Sequence, residues 1–66
     1  MSVLKVIELL ADSDKSWEDA ANKAVEKAAK TVDNIKSVYI AEQSATIKDG
    51  KIGNYRVNVK VTFELK

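Results

Sequence analysis

The stretch Tyr-Arg-Val-Asn-Val-Lys-Val-Thr-Phe-Glu-Leu, residues 55–65, decides the fold class of this chain. Apolar and polar side chains alternate along it without interruption. Because successive side chains of a strand point to opposite faces of a sheet, this alternation predicts a strand with one packed face and one polar face. Such a strand needs neighbouring strands for its backbone and a cover for its packed face.

A hairpin turn precedes this strand. Residues 48–51, Lys-Asp-Gly-Lys, have Asp-Gly at their centre, which is a strong signal for a two-residue turn. Residues 35–48 then form the partner strand of the hairpin. If no bulge intervenes, opposing residue numbers add up to 99, and Val38 and Ile40 share the packed face with the valines of residues 55–65.

The same pairing places a mixed set of side chains on the other face, where the sequence offers no second helix to cover them. A three-stranded sheet with a half-apolar, uncovered face and two free edges tends to associate with copies of itself. This face carries the candidate ligand contacts, which are Ser37, Tyr39, Gln43, Arg56 and Asn58, with Gln43 opposite Arg56.

The first half of the sequence supplies a strand and a helix. Residues 3–10 are rich in Val, Leu and Ile, which is typical of a strand, and a polar break follows at residues 11–16. Apolar residues, mostly alanine, recur at three- and four-residue spacing from Trp17 to Val32, which predicts a helix that ends at residues 33–34. The order β-α-β-β, with a three-stranded antiparallel sheet and one helix, is an α+β fold.

The composition limits the chemistry. The 66 residues include no Cys and no His, which excludes disulfides, thiolate metal sites and the commonest general base at neutral pH. The sequence also has no Gly-rich phosphate loop, carboxylate dyad or hydroxyl-plus-base pair, so we expect the protein not to be an enzyme. A chain this short buries only about 60 % of its unfolded surface when it folds alone, which leaves oligomerisation as the source of further stability.

Charge and hydropathy argue against two classes of partner. Eleven basic and ten acidic side chains give a net charge of +1, whereas a nucleic-acid-binding domain is usually strongly basic on one face. No apolar run approaches the roughly 20 residues of a membrane span, and the N-terminal residues do not resemble a signal peptide. We therefore expect a cytoplasmic protein with no nucleic-acid or membrane partner.

Carboxylates are densest around the start of the predicted helix. Asp12, Asp14 and Ser16 imitate the first three ligands of an EF-hand loop, but Trp17 and Lys23 stand where that loop needs Gly and Glu. A solvated turn followed by a helix cap explains these residues, since Ser16 and the acid three positions later resemble a capping box. The alternative is a calcium site of another kind, between subunits, formed by the carboxylates of Asp12, Asp14, Glu18 and Asp19.

Arg56 is the only arginine among the eleven basic residues. A guanidinium binds phosphate or carboxylate through two parallel hydrogen bonds, which Lys cannot imitate. One interpretation is therefore a small anionic ligand held by Arg56. The other is a structural ion pair with Glu42, Glu64 or a carboxylate of a neighbouring subunit.

The order of these segments resembles the dodecin family over nearly the whole chain. The resemblance rests on residues 16–21 (Ser-Trp-Glu-Asp-Ala-Ala), residues 31–35 (Thr-Val-Asp-Asn-Ile) and the closing Tyr-x-Val-x-Val-x-Val-x-Phe-x-Leu pattern. It implies one dodecin-like domain over residues 1–66, whose sheet wraps around the helix. It also implies that twelve copies close into a hollow cage, and that flavins, where family members bind them, lie at subunit interfaces without redox catalysis.

Two positions depart from the flavin-binding members of this family. The position of their flavin-stacking tryptophan matches Ser37, and that of a flavin-contacting glutamine matches Arg56. The resemblance is therefore closer to a branch that lacks this tryptophan and is associated with calcium. We expect a non-enzymatic homododecamer that binds or stores a small ligand or ion, with flavin binding weakened or lost. A structural or protein-interaction oligomer without a small-molecule ligand is the alternative.

Overall fold

The computed structural model describes residues 2–66 and contains one helix and one sheet. The elements in chain order are β1 (Val3–Ser13), α1 (Trp17–Ala29), β2 (Ile35–Lys48) and β3 (Lys51–Leu65). The strands are antiparallel and lie in the order β1-β3-β2, so the alternating strand is at the centre. The predicted β-α-β-β, α+β architecture is confirmed.

The helix covers one face of β3, which we call the core face. Val57, Val59 and Val61 are fully buried there beneath the alanines of α1. Alanine has no side chain beyond Cβ, so the helix axis can approach the sheet closely. The valines supply most of the buried side-chain volume, and each contributes roughly 1.5–3 kcal/mol of hydrophobic stabilisation.

The start of the helix is fixed by the predicted cap. The Ser16 hydroxyl accepts a hydrogen bond from the Asp19 backbone N–H at 2.9 Å. The Asp19 carboxylate in turn accepts from the buried hydroxyl of Ser13 and lies 3.3 Å from the ammonium of Lys23. These contacts tie the first turn of α1 to the end of β1.

The helix is one turn shorter than predicted. It ends at Ala29, not near residue 33, because the backbone N–H groups of Lys30 and Thr31 donate to carbonyls only three residues earlier. Asn34 then takes a positive φ of 63°, which turns the chain into β2. The apolar spacing continues to Val32 although the helix does not.

The first strand is three residues longer than predicted. Asp12 pairs with Arg56 and Ser13 with Tyr55 at the edge of the sheet, where a polar break was expected. The polar side chains are compatible with a strand here because each finds a partner, Asp12 in the Arg56 guanidinium and Ser13 in the helix cap.

The predicted turn is confirmed, and the predicted register holds only in part. Asp49 and Gly50 both have positive φ, 54° and 74°, as a two-residue hairpin turn of the primed type requires. Val38 pairs with Val61 and Ile40 with Val59, as the sum of 99 requires. Their side chains are nevertheless 38% and 40% exposed, so the helix does not bury them as predicted.

Irregularities between Thr46 and Ile47 and between Ile40 and Glu42 shift the register of the segment between them by one residue. A shift of one residue moves every side chain of that segment to the opposite face. Gln43 therefore pairs with Val57, and the predicted pair of Gln43 with Arg56 is wrong.

No helix of residues 2–66 has both the length and the apolar character needed to cross a bilayer.

Candidate functional site

The face of the sheet opposite the helix, which we call the open face, is uncovered by any other element of residues 2–66. Its members from β1 and β3 are Leu4, Val6, Glu8, Leu10, Asp12, Arg56, Asn58, Lys60, Thr62 and Glu64. Its members from β2, assigned by their partners on β3, are Ser37, Tyr39, Glu42, Ser44 and Thr46.

Large apolar side chains stand in solvent on this face. Leu10 is 71 % exposed, Tyr39 is 65 % exposed, and Leu4 and Val6 are about half exposed. Exposed apolar area of this kind, mixed with polar groups, marks an interaction surface. Leu4 and Val6 were not among the predicted members of this face, although they alternate along β1 with core residues such as Ile7 and Leu9.

Arg56 is held by Asp12 on the open face. The two residues are directly opposite across β1 and β3, and the Arg56 Nε donates to Asp12 Oδ1 at 2.7 Å while Nη2 donates to Oδ2 at 3.1 Å. The hydrogen bonds from Arg56 lower the pKa of Asp12, and the Asp12 carboxylate raises the pKa of Arg56 further. Both oxygens of Asp12 are engaged, which makes the pair bidentate.

The predicted partners of Arg56 within the chain are wrong, although a structural ion pair is present. Glu64 lies 3.7 Å from the Lys36 ammonium instead, and its pKa is lowered mainly by a hydrogen bond from Ser2 and then by Lys36. Glu42 pairs with Asn58 across the strands. The correct partner, Asp12, lies beyond residue 10, where the predicted first strand ends, so the sequence did not indicate that it faces Arg56.

Ser37 and Arg56, the two positions that match the flavin site of the family, share the open face but do not meet. Ser37 pairs with Thr62, six residues along β3 from Arg56. At a rise of about 3.3 Å per residue this separation is about 20 Å. A single small ligand cannot contact both residues of one subunit.

Of the predicted neighbours, Tyr39 and Asn58 lie on the open face, and Gln43 does not, because it pairs with Val57 of the core face. Asn58 lies between Leu10 and Glu42 on the adjacent strands. Its Oδ1 atom is buried and accepts no hydrogen bond from any group of residues 2–66. A buried acceptor without a donor costs roughly 1–3 kcal/mol, so this atom opposes the folding of the subunit.

The four acidic candidates for a calcium site do not converge within one chain. Asp12 lies on the open face with Arg56, whereas Asp19 lies behind the sheet, where the Ser13 hydroxyl and then Lys23 lower its pKa. Asp14 and Glu18 are exposed. Across residues 2–66 no three acidic side chains are close enough to share a metal ion.

Trp17 joins the helix to the hairpin. Its indole Nε1 donates to the Ser44 carbonyl at 2.8 Å, and its ring meets Tyr55 edge to face at a centroid distance of 4.9 Å. Beyond this contact the hairpin continues alone, and its end exposes Ile47 and Ile52, which pair with each other across the strands. The described chain encloses no cavity that could hold a ligand.

Comparison with known proteins agrees with this architecture. The family model described as Dodecin matches residues 3–66. Calcium dodecin of Mycobacterium tuberculosis is 40% identical over an alignment that covers 100% of this chain and 93% of that protein.

Two solved structures superpose over almost all of both chains. A variant of Thermus thermophilus dodecin has a TM-score of 0.95 and 29% identity, with coverage of 100% of this chain and 98% of that chain. The crystal structure of the M. tuberculosis calcium dodecin, a calcium-chelating protein with a novel calcium-binding site, has a TM-score of 0.86 and 35% identity. It covers 98% of this chain and 93% of that chain.

Proposed function

Because this chain belongs to the dodecin family, we propose that it is the non-enzymatic subunit of a hollow homododecamer that holds a small ligand or ion between its subunits. Calcium is the ion that we favour, and flavin binding is weakened or lost. The observation that carries the proposal is the open face, which no element of the described chain covers.

Assembly is supported by three features that a lone subunit leaves unsatisfied. The open face exposes Leu10 and Tyr39, and the hairpin extends Ile47 and Ile52 into solvent. The outer strands β1 and β2 each have one unpaired edge in the three-stranded sheet. A second copy of the same sheet offers apolar area and strand edges together.

The ligand is expected between subunits because a single subunit has neither a cavity nor a complete set of contacts. Ser37 and Arg56 are too far apart to contact one small molecule within one chain, but residues from two copies can meet across a symmetric interface. Interface sites of this kind depend on assembly, so the loss of the oligomer would also remove the ligand.

Weakened flavin binding follows from the residues at the two family positions. Ser37 offers no aromatic ring, and stacking on an aromatic side chain contributes about 1–3 kcal/mol per base. Arg56 is engaged by Asp12 and presents no free amide like that of glutamine. Both changes remove contacts that the resemblance assigns to flavin.

Calcium is supported by the relative at 40% identity, which is named for this ion, and by the exposed carboxylates at the start of α1. Asp14 and Glu18 are exposed, whereas Asp12 and Asp19 are engaged by Arg56 and Ser13. Calcium takes six to eight oxygen ligands, so Asp14 and Glu18 would supply only part of a set that neighbouring copies and water complete.

Thermal unfolding with added calcium tests this assignment. Calcium at about one hundred times its dissociation constant stabilises a protein by about 2.7 kcal/mol, so the melting temperature of the wild type should rise. The rise should be lost in Asp14→Asn/Glu18→Gln and kept in Glu26→Gln/Asp49→Asn, which removes two carboxylates elsewhere on the surface. Magnesium should have a smaller effect because it demands a more regular, octahedral site.

The outcomes also separate the two functional classes. If calcium leaves the melting temperature of the wild type unchanged, and elemental analysis of the purified oligomer finds no metal, the calcium assignment is wrong. A stable oligomer without metal or chromophore would instead support the alternative, a structural or protein-interaction assembly with no small-molecule ligand.

A further inference from the structure

Arg56 and Asp12 form a pair whose consequence for ligand choice goes beyond assembly and calcium. The guanidinium directs Nε and Nη2, the edge that suits a phosphate or carboxylate, at the two oxygens of Asp12. About half of each side chain remains exposed, at 46% for Arg56 and 41% for Asp12, so the pair lies at the surface that a ligand of the open face would meet. A phosphate and the Asp12 carboxylate would compete for the same donors.

We propose that Asp12 sets the ligand specificity of the open face by occupying the guanidinium of Arg56, so that phosphate-bearing ligands are excluded. This inference rests on the proposed function, since it concerns ligands bound at the open face. Asp12 is a residue of β1, and the sheet register holds its carboxylate directly opposite Arg56, where a bound anion would otherwise lie. Because it is part of the same fold, it competes at a high effective concentration with any anion in solution.

The charges around the pair reinforce the exclusion. With Arg56 neutralised, the nearest ionised side chains on the open face are Glu42, which pairs with Asn58, and Glu8 and Lys60, which pair with each other. The excess is negative, so an anion approaching Arg56 meets both an occupied guanidinium and an unfavourable local potential. A cation meets the opposite conditions.

Removing the carboxylate while keeping the shape of the side chain tests the proposal. Binding of inorganic phosphate to the assembled protein would be measured by calorimetry in calcium-free buffer. Asp12→Asn should bind phosphate on the order of tenfold more tightly than the wild type, because a charge-assisted hydrogen bond changes a binding constant by about that factor or more. The same comparison with flavin mononucleotide and riboflavin should favour the phosphate-bearing flavin only in Asp12→Asn.

Two matched variants separate specificity from a general change in charge. Glu8→Gln removes one negative charge from the same strand and the same face without touching Arg56, and it should raise phosphate affinity by much less than Asp12→Asn does. Asp12→Asn/Arg56→Gln should return to the wild-type affinity, because the guanidinium that binds the anion is gone. Native mass spectrometry of every variant confirms that the oligomer being compared is the same.

Each remaining outcome would overturn the inference. Equal phosphate affinity in the wild type and Asp12→Asn would show that Asp12 does not block Arg56. An equal gain in Glu8→Gln would show that only net charge matters. Loss of assembly in both Asp12→Asn and Asp12→Ala would show that Asp12 serves structure and not ligand choice. A wild type that fails to assemble would instead contradict the proposed function, so the two failures are distinguishable.

Discussion

On the core face of the sheet, Val57, Val59 and Val61 are fully buried beneath α1, whereas on the open face Leu10 and Tyr39 stand largely in solvent. Both faces are built on the same central strand, and successive residues of β3 belong to one or the other. The centre of the core face is complete within one chain, because the helix covers the β3 valines there, whereas at its margin Val38 and Ile40 stay 38% and 40% exposed. The open face has apolar area, a buried acceptor on Asn58 and an ion pair, but no cover.

The core face accounts for the folding of the subunit, whereas the open face is where we expect assembly and ligand binding. We expect side chains on the core face to determine whether the β-α-β-β unit forms, and substitutions on the open face to change its stability much less. Departures from the flavin-binding pattern, at Ser37 and Arg56, lie on the open face. We therefore expect substitutions on the core face to change the free energy of unfolding, and substitutions on the open face to change ligand affinity.

The largest effect on folding should come from the core face. Val59→Ala removes two methyl groups from a fully buried site and leaves a cavity, which should lower the free energy of unfolding by about 2–3 kcal/mol. Lys60→Ala, one residue further along the same strand, should change it by about 0.5 kcal/mol or less because its side chain is exposed on the open face. Urea denaturation of both variants measures the difference, and equal losses would erase the distinction between the faces.

A smaller effect, on binding alone, should come from restoring the flavin positions. Ser37→Trp with Arg56→Gln should tighten riboflavin binding by about fivefold or more, which corresponds to about 1 kcal/mol of stacking. Quenching of flavin fluorescence measures the affinity. Ser44→Trp with Arg56→Gln places the same ring elsewhere on β2 of the open face and should show no such gain. If both tryptophan variants gain equally, the family positions have no special role.

The smallest effect should appear in acid. The pKa of Asp12 is lowered in the folded protein by Arg56, so the stabilisation by this pair is fully present above the unfolded pKa of about 3.9 and is lost as pH falls through the lower, folded value. The melting temperature should therefore fall below about pH 4, and Asp12→Asn should show a shallower fall. Parallel curves for the two proteins would show that the pair contributes nothing in solution.

The sequence predicted the core face well and the open face in part. Alternation along residues 55–65 and the Asp-Gly turn fix the central strand and the hairpin, because both signals are local. The register between residues 42 and 46 was not predictable in this way, since a bulge is a property of two strands together. Gln43 consequently lies on the core face and not on the open face, where it was predicted.

The end of β1 was misjudged for a similar reason. Asp12 and Ser13 have low strand propensity, and they extend the strand only because Arg56 and Asp19 lie where their side chains point. Such partners are distant in sequence, and neither is evident from residues 11–16 alone. The ion pair of Asp12 with Arg56 became visible only once the pairing of β1 with β3 was known.

Our central claim is that other copies of the chain complete the open face. Native mass spectrometry of the protein as isolated tests this claim directly, because it reports the number of subunits and any retained ion or ligand together. We expect a single dominant species of twelve copies of the 7.3 kDa chain. A monomeric species at micromolar concentration, folded and with its open face in water, would contradict the account.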